Sequence, residues 1–408
     1  MGRRRNYNKA KRVAKKYPAV IAVVVALLVI AIILLAVLYV KKLGPFKPRG
    51  GDGGDGGGSV AAGNVTEISE ADLSVHFLEL GNANAGDCTL IKCGNTEILI
   101  DAGSKRNSTE TVKNYINKYC TDGKIEYIVA THAHEDHIAA LVGESGKNNG
   151  VLYSYEIGTV IQFSGHNTTS GIYNDYVSAV AYAESQGADV FTASQCWNNA
   201  DGAQRTYYID GESKISFNIL YQKYYDEKAS TENNYSVCTL LTQEISAEEK
   251  YSYLFTGDLE KAGEESLVKS NALPRCKLYK GGHHGSSTSS NDVLLNVIKP
   301  ENIAICTCAG TYEYAKKPSA ESPESSAKLN TFPTQEALDR MAKWTEKIYV
   351  TSLGILREDF STEKQVSMNG DIVFYYKEEF KLYCSDNSTV LKDTAWFAQN
   401  RTWNGREG

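Results

Sequence analysis

The stretch Thr131-His-Ala-His-Glu-Asp-His137 decides how this chain is read. An apolar run, Ile125 to Ala130, leads into it and suits a buried strand; Ile138-Ala-Ala-Leu-Val142 follows and suits a helix. The cluster is therefore expected on a strand-to-helix turn, where several side chains can be aimed at one point. Three His and an Asp packed so closely are hard to bury unpaired, because that polarity costs several kcal/mol unless a metal or partners satisfy it. On this reading His132 and His134 share one cation, while Asp136 and His137 face a second. The competing reading is a solvated loop.

Two later segments carry matching chemistry. Tyr253-Leu-Phe-Thr-Gly-Asp258-Leu-Glu260 reads as a strand closing in a turn, and Lys280-Gly-Gly-His-His-Gly-Ser-Ser287 puts two adjacent His in a Gly-rich turn, where they are rarely structural. By itself Gly257-Asp258 is an ordinary turn. If the double-His segment is extended, its neighbouring side chains point opposite ways, one to a metal and one to a substrate. His284 is assigned to the metal and His283 to the substrate's oxyanion, with the reverse left open.

The His-x-His-x-Asp-His pattern resembles the signature of the metallo-β-lactamase superfamily. The later segments are similar to the type found as the C-terminal domain of ComEC-like competence proteins and as free-standing secreted hydrolases. The resemblance covers about residues 74 to 355. It implies an α/β fold, the four-layer αβ/βα sandwich of two mixed sheets with helices outside, and one or two divalent ions, Zn²⁺ from the His-rich set with Mn²⁺ as an alternative. It implies metal ligands at His132, His134, Asp136, His137, Asp258 and His284, with Asp258 bridging, and catalytic roles for Asp136 and His283. Asp101, in Asp101-Ala-Gly103, becomes a buried group steadying the metal loop, although a turn-forming Asp before Gly reads equally well locally. The expected chemistry is a water whose pKa falls from 15.7 to about 7 on the metal, attacking phosphorus or a carbonyl carbon.

The chain departs from the family in four places. Asn82-Ala-Asn84 lengthens an early loop, Ala309 to Thr331 is an irregular insertion, and Phe332-Pro333 stands where His-Pro is usual. The usual third His of the first site is also missing, since His166 is the single histidine between 138 and 282. His166 is assigned to a substrate loop or a merely exposed position, and Ser286 to the substrate loop. His76 alternates with apolar neighbours and reads as a structural strand histidine.

Outside the hydrolase region the sequence reads by composition. The first sixteen residues hold eight Lys or Arg and no acid, so of the formal charge of -6 the remainder carries about -14. Ala19 to Val40 is an uncharged Ala/Val/Ile/Leu run that as a helix reaches ~33 Å, against a hydrocarbon core of ~30 Å. It reads as an uncleaved anchor with the N-terminus cytoplasmic and the rest extracellular; a cleaved signal peptide is the rival. The division expected is 1-18 basic, 19-40 transmembrane, 41-66 Gly-rich tether, 67-355 hydrolase domain and 356-408 a β-rich extension. The nine cysteines, an odd number, read as small buried hydrophobes more than a disulfide framework.

The function expected is a membrane-anchored extracellular phosphodiesterase or nuclease. Its partners would be membrane lipid and a phosphodiester, envelope-linked or nucleic acid; no protein partner is inferable. The alternatives are hydrolysis of a carboxylic ester, lactone or β-lactam, and a non-catalytic receptor that has kept the fold.

Overall fold

The computed structural model describes residues 63–405. The basic segment, the apolar run at 19–40 and nearly all of the tether lie outside the described residues. Within them no helix is long and apolar enough to cross a membrane. The tether, expected to reach residue 66, gives way earlier to helix α1 (Gly63–Ser69), whose Ile68 is buried.

Sixteen strands among the described residues form two eight-stranded sheets. The first uses β1 (Leu73–Phe77), β2 (Cys88–Cys93), β3 (Thr96–Ala102), β4 (Lys124–Ala130), β5 (Glu156–Gln162) and β6 (Asp189–Thr192). The second uses β7 (Thr206–Tyr208), β8 (Ile215–Leu220), β9 (Cys238–Glu244), β10 (Lys250–Phe255), β11 (Leu278–Lys280), β12 (Ile303–Ala309), β13 (Ile348–Leu356) and β14 (Thr362–Ser367). Two final strands, β15 (Ile372–Tyr376) and β16 (Phe380–Cys384), return to the first, giving the orders β16-β15-β1-β2-β3-β4-β5-β6 and β14-β13-β12-β11-β10-β9-β8-β7. In each sheet a block of four strands is parallel, β3 to β6 and β10 to β13. Such strands are covered on both faces, which is why Ile303–Ala309 is buried at every position and reads as a continuous apolar run.

The sheets pack face to face. Phe77 of β1 lies 6.3 Å from Phe255 of β10, and Phe374 of β15 lies 5.9 Å from Tyr349 of β13, ring centre to ring centre. Helix Thr109–Tyr119 buries Val112 and Ile116 in the same core that the first sheet lines. A second apolar cluster joins Leu254, Ile303 and Ile305 of the other sheet to Leu294, Leu295 and Ile298 of helix Asp292–Ile298 and to Leu338 and Met341 of helix Gln335–Met341.

The division at residue 355 does not correspond to a structural boundary. β13 runs through it, β14 pairs with β13, and β15 pairs along the whole of β1, Leu73 opposite Tyr376. What reads as an appended β-rich extension supplies strands to both sheets, because β1 needs a partner on each side to satisfy its backbone groups. All nine cysteines are buried free thiols. Burial pushes Cys93 and Cys120 up to about 11, and such thiols are inert.

Candidate metal centre

Three chain segments meet at one end of the sheets. The first leaves β4 at Ala130, and its helix, α2 (Glu135–Val142), already begins inside the motif, so that Asp136 and His137 sit in a first helical turn. Asp101, at φ 56°, turns its carboxylate beneath this loop: Oδ1 accepts from Thr131 N at 2.8 Å and Oδ2 from Thr131 Oγ1 at 2.7 Å. The second segment leaves β10 through Gly257, at φ 51°, where a Cβ would lie 2.9 Å from both Thr131 and Ser236. Only glycine fits there, and Asp258 follows it into the site.

The third segment leaves β11 at Lys280 and turns through His283 (φ 48°) and His284 (φ 54°). The extended arrangement expected of these histidines is therefore replaced by two successive left-handed residues. Each such conformation costs of order 1–3 kcal/mol in a non-glycine residue and persists where its surroundings over-determine it. The result still separates the pair. His284 is fully buried, whereas the His283 side chain is 17% exposed.

Each buried ring is held from behind. His137 Nδ1 donates to Asp101 Oδ2 at 2.8 Å and His284 Nδ1 to the Cys306 carbonyl at 2.9 Å. Thr131 Oγ1, its proton given to Asp101, accepts from His132 Nδ1 at 3.1 Å. With the proton fixed on Nδ1 in all three, the Nε2 lone pairs point inward, the arrangement of metal-ligating histidines. His134 instead sets Nδ1 3.0 Å from His132 Nε2, and its nitrogens join none of the ligand groups found among the described residues.

These lone pairs surround Asp258. Its Oδ2 lies 3.1 Å from His137 Nε2, 3.4 Å from His284 Nε2, 3.7 Å from His283 Nε2 and 3.9 Å from His132 Nε2. Asp136 Oδ2 is 3.4 Å from His284 Nε2. Donor atoms of His132, His137 and Asp258 lie within 4.8 Å of one another, and so do those of Asp136, His137 and His284. His137 thus stands between the two sets rather than in the second alone. His137 Nε2, His284 Nε2 and both Asp258 oxygens are buried without a hydrogen bond. Acceptors that close in a dry site need a proton or a cation between them, so these residues fit divalent metal.

Protonation fills that need when metal is absent. Burial alone would lower His137, but the Asp258 and Asp101 carboxylates override it and hold the ring well above its ordinary range. His284, which burial would also lower, is raised to about 10 by Asp258 and Asp87. Burial would raise Asp258, yet His137 and His284 keep it well below the usual carboxylate range.

Asp87, Lys280 and Tyr314 belong to this site and were not singled out from the sequence. Asp87 is buried, with Oδ1 3.2 Å from His284 Nδ1 and Oδ2 in an ion pair with the buried Lys280. Its loop is pinned by Asp87 N to the Asp136 carbonyl at 3.0 Å and by Gly103 N to the Asp87 carbonyl at 2.9 Å. Lys280 Nζ also lies 4.0 Å from Asp258 Oδ1. The Tyr314 hydroxyl donates to Asp136 Oδ2 at 2.7 Å. One signal in the sequence was available: Lys280 ends a strand buried throughout, where a lysine needs a carboxylate partner.

The remaining candidates fall outside the cluster. His166 is exposed, its ring 4.2 Å from Tyr173 and its Nδ1 3.0 Å from the Thr168 carbonyl. Among the described residues, no histidine from outside the 131–137 loop and the 283–284 turn reaches the centre. Ser286 is buried behind His283, bonding Thr288 Oγ1 at 3.1 Å, and Thr288 Oγ1 in turn lies 3.1 Å from His283 Nδ1. His76 bonds Tyr115 and Ser74 at 2.9 and 2.8 Å inside the core.

Residues 81–157, which include Asp87, Asp101 and the whole first motif, match the model of the metallo-beta-lactamase superfamily. The chain carries a metallo-beta-lactamase superfamily domain. That superfamily is one of metal-dependent hydrolases, and the His and Asp groups gathered here are consistent with it. Over 49 residues, 12% of the chain, the sequence is 51% identical to competence protein ComA of Neisseria gonorrhoeae, and it spans 7% of that protein's length. Among solved structures, the metallo-beta-lactamase fold protein YhfI of Bacillus subtilis is 10% identical with a TM-score of 0.36, over 68% of this chain and 95% of that one. A second metallo-beta-lactamase structure, from Thermotoga maritima, is 14% identical with a TM-score of 0.28, over 46% of this chain and 79% of that one.

Proposed function

We propose that this metallo-beta-lactamase domain is a phosphodiesterase, held outside the cell by an anchor at residues 19–40. The observation that carries the reaction class is the placement of Asp258 between two donor sets. His132 and His134 would hold one Zn²⁺ or Mn²⁺, and Asp136 and His284 a second, with His137 and Asp258 standing between the two. A metal pair held by these residues would supply Lewis acidity and an acidified water for displacement at phosphorus.

The chain's own groups do the rest. Asp101, Thr131 and the Cys306 carbonyl keep the imidazole lone pairs aimed inward. With the Thr288 hydroxyl donating to His283 Nδ1, the ring proton sits on Nε2, on the exposed side of Asp258. Burial lowers the pKa of His283, so it works as a neutral donor, placed to stabilise charge developing on a phosphoryl oxygen. A charge of about -14 outside the first sixteen residues disfavours long polyanions, whose affinity comes largely from Lys and Arg. A small or envelope-linked diester fits better.

The zinc- or manganese-loaded protein is expected to hydrolyse bis(p-nitrophenyl) phosphate and to lose that activity with EDTA. Esterase or lactamase turnover by fully metallated protein, with no diester cleavage, overturns the assignment. The anchor is tested separately: protease added to intact cells should release a soluble domain by cutting between Gly50 and Gly63, and a domain protected until lysis reverses the orientation.

A further inference from the structure

The two segments that depart from the family pattern near the site, Asn82–Asn84 and the insertion after Ala309, meet each other. The Glu313 carboxylate accepts from Asn84 Nδ2 and from Ala85 N, both at 2.8 Å, and lies 3.9 Å from Lys105 Nζ. At its far end the insertion is tied down by buried Arg401, which donates to the carbonyls of Thr331 at 2.7 Å and Pro333 at 3.0 Å. Held at both ends, the insertion sets Tyr314 at the mouth of the metal centre. Its hydroxyl is fixed on Asp136, its ring lies 5.3 Å from Phe332 at an interplanar angle of 20°, and it remains 48% exposed. Phe332 is buried behind it, 5.8 Å from the His283 ring.

A large aromatic ring, half exposed yet pinned by its hydroxyl and backed by a second parallel ring, cannot turn its open surface away from the site. We propose that Tyr314, backed by Phe332, is a stacking platform for a nucleobase carried by the substrate, which makes that substrate a nucleoside phosphodiester. The proposal rests on the phosphodiester reading above. Parallel rings extend naturally by one more flat partner. A quaternary ammonium headgroup is best held by several faces converging around it, and these two do not converge. A platform of this size reads one base beside the scissile phosphate, consistent with a small substrate.

The test compares kcat/KM for thymidine 5′-(p-nitrophenyl phosphate) with that for methyl p-nitrophenyl phosphate, using zinc-loaded full-length protein. The wild-type ratio is expected to be about 5- to 150-fold in favour of the nucleoside, the range of one base stacked on an aromatic side chain. Tyr314→Ala should bring the ratio close to one, and Tyr314→Phe should retain it. A wild-type ratio near one, or a ratio unmoved by Tyr314→Ala, overturns the platform. Tyr314→Leu replaces the alanine variant if the latter fails to hold zinc. Calorimetric binding of thymidine 5′-monophosphate against methyl phosphate reads the same preference without turnover. If neither ester is cleaved, the phosphodiester reading fails, and calorimetry decides the platform: a preference removed by Tyr314→Ala keeps it, and equal binding or none overturns it.

Discussion

Asp136, His137 and His284 are buried, and both rings are held at Nδ1 by a carboxylate or a carbonyl; His134 is partly exposed and rests Nδ1 against its neighbour His132. Both donor sets reach Asp258, yet in only one of them is every ring braced from behind, since His132 is held by Thr131 but His134 is not. Local ligand density is the same in the two halves of the motif, so density does not make a tight site. The groups that orient the ligands do, and they come from distant parts of the chain.

The largest effect should follow from removing what the halves share. Asp258→Ala is expected to lower turnover by at least ~10³-fold, the scale of losing a preorganised charge at the reacting centre, and to leave less than one equivalent of metal by elemental analysis. Next comes the asymmetry itself. His284→Ala should strip the braced half and His134→Ala only the other, leaving one tightly held equivalent after dialysis; equal metal loss in the two variants would break the comparison. Bracing can then be probed without touching a proposed ligand. Asp87→Asn should weaken metal binding by ~10–100-fold in a competition titration, the usual cost of disturbing a group that orients a ligating histidine.

The smallest effect is in pH. His284 in the metal-free protein has its pKa raised from 6.5 to about 10, so its protonation adds stability that is complete below pH 6.5 and lost as pH rises through 10. Metal must displace that proton. Calorimetric scans should therefore show the Tm gap between zinc-loaded and metal-free protein widening between pH 6.5 and 9. A constant gap would mean that the ring is already neutral.

The same contrast explains what could be read from sequence. His132 to His137 and His283-His284 declare themselves because their ligands are neighbours in the chain. Asp87 looks like a turn residue after Gly86, and its partner Lys280 lies 193 positions away, so neither carries a local sign of the pair they form. Tyr314 sits in an irregular segment, and it is placed by contacts remote in sequence: Glu313 with the 82–85 loop, its own hydroxyl with Asp136, and Arg401 at the segment's far end. The fold was legible in the strands around the motifs and less so across residues 156–220. There β6 and β7 are short, partly exposed strands at the sheet margins, set by pairing with a neighbour more than by an apolar run of their own. β14, mostly exposed polar residues, is held in the same way against β13.

The pairing of Leu73 with Tyr376 has a consequence for how the protein is made. The first strand of the domain has its outer neighbour about three hundred positions later in the chain. A ribosome adding ~5–20 residues per second would expose the edge of β1 for tens of seconds. During that interval the metal loop is already present but lies in a sheet whose margin is open. The open margin is a place where a chaperone, or a second nascent copy, can intervene before the fold closes.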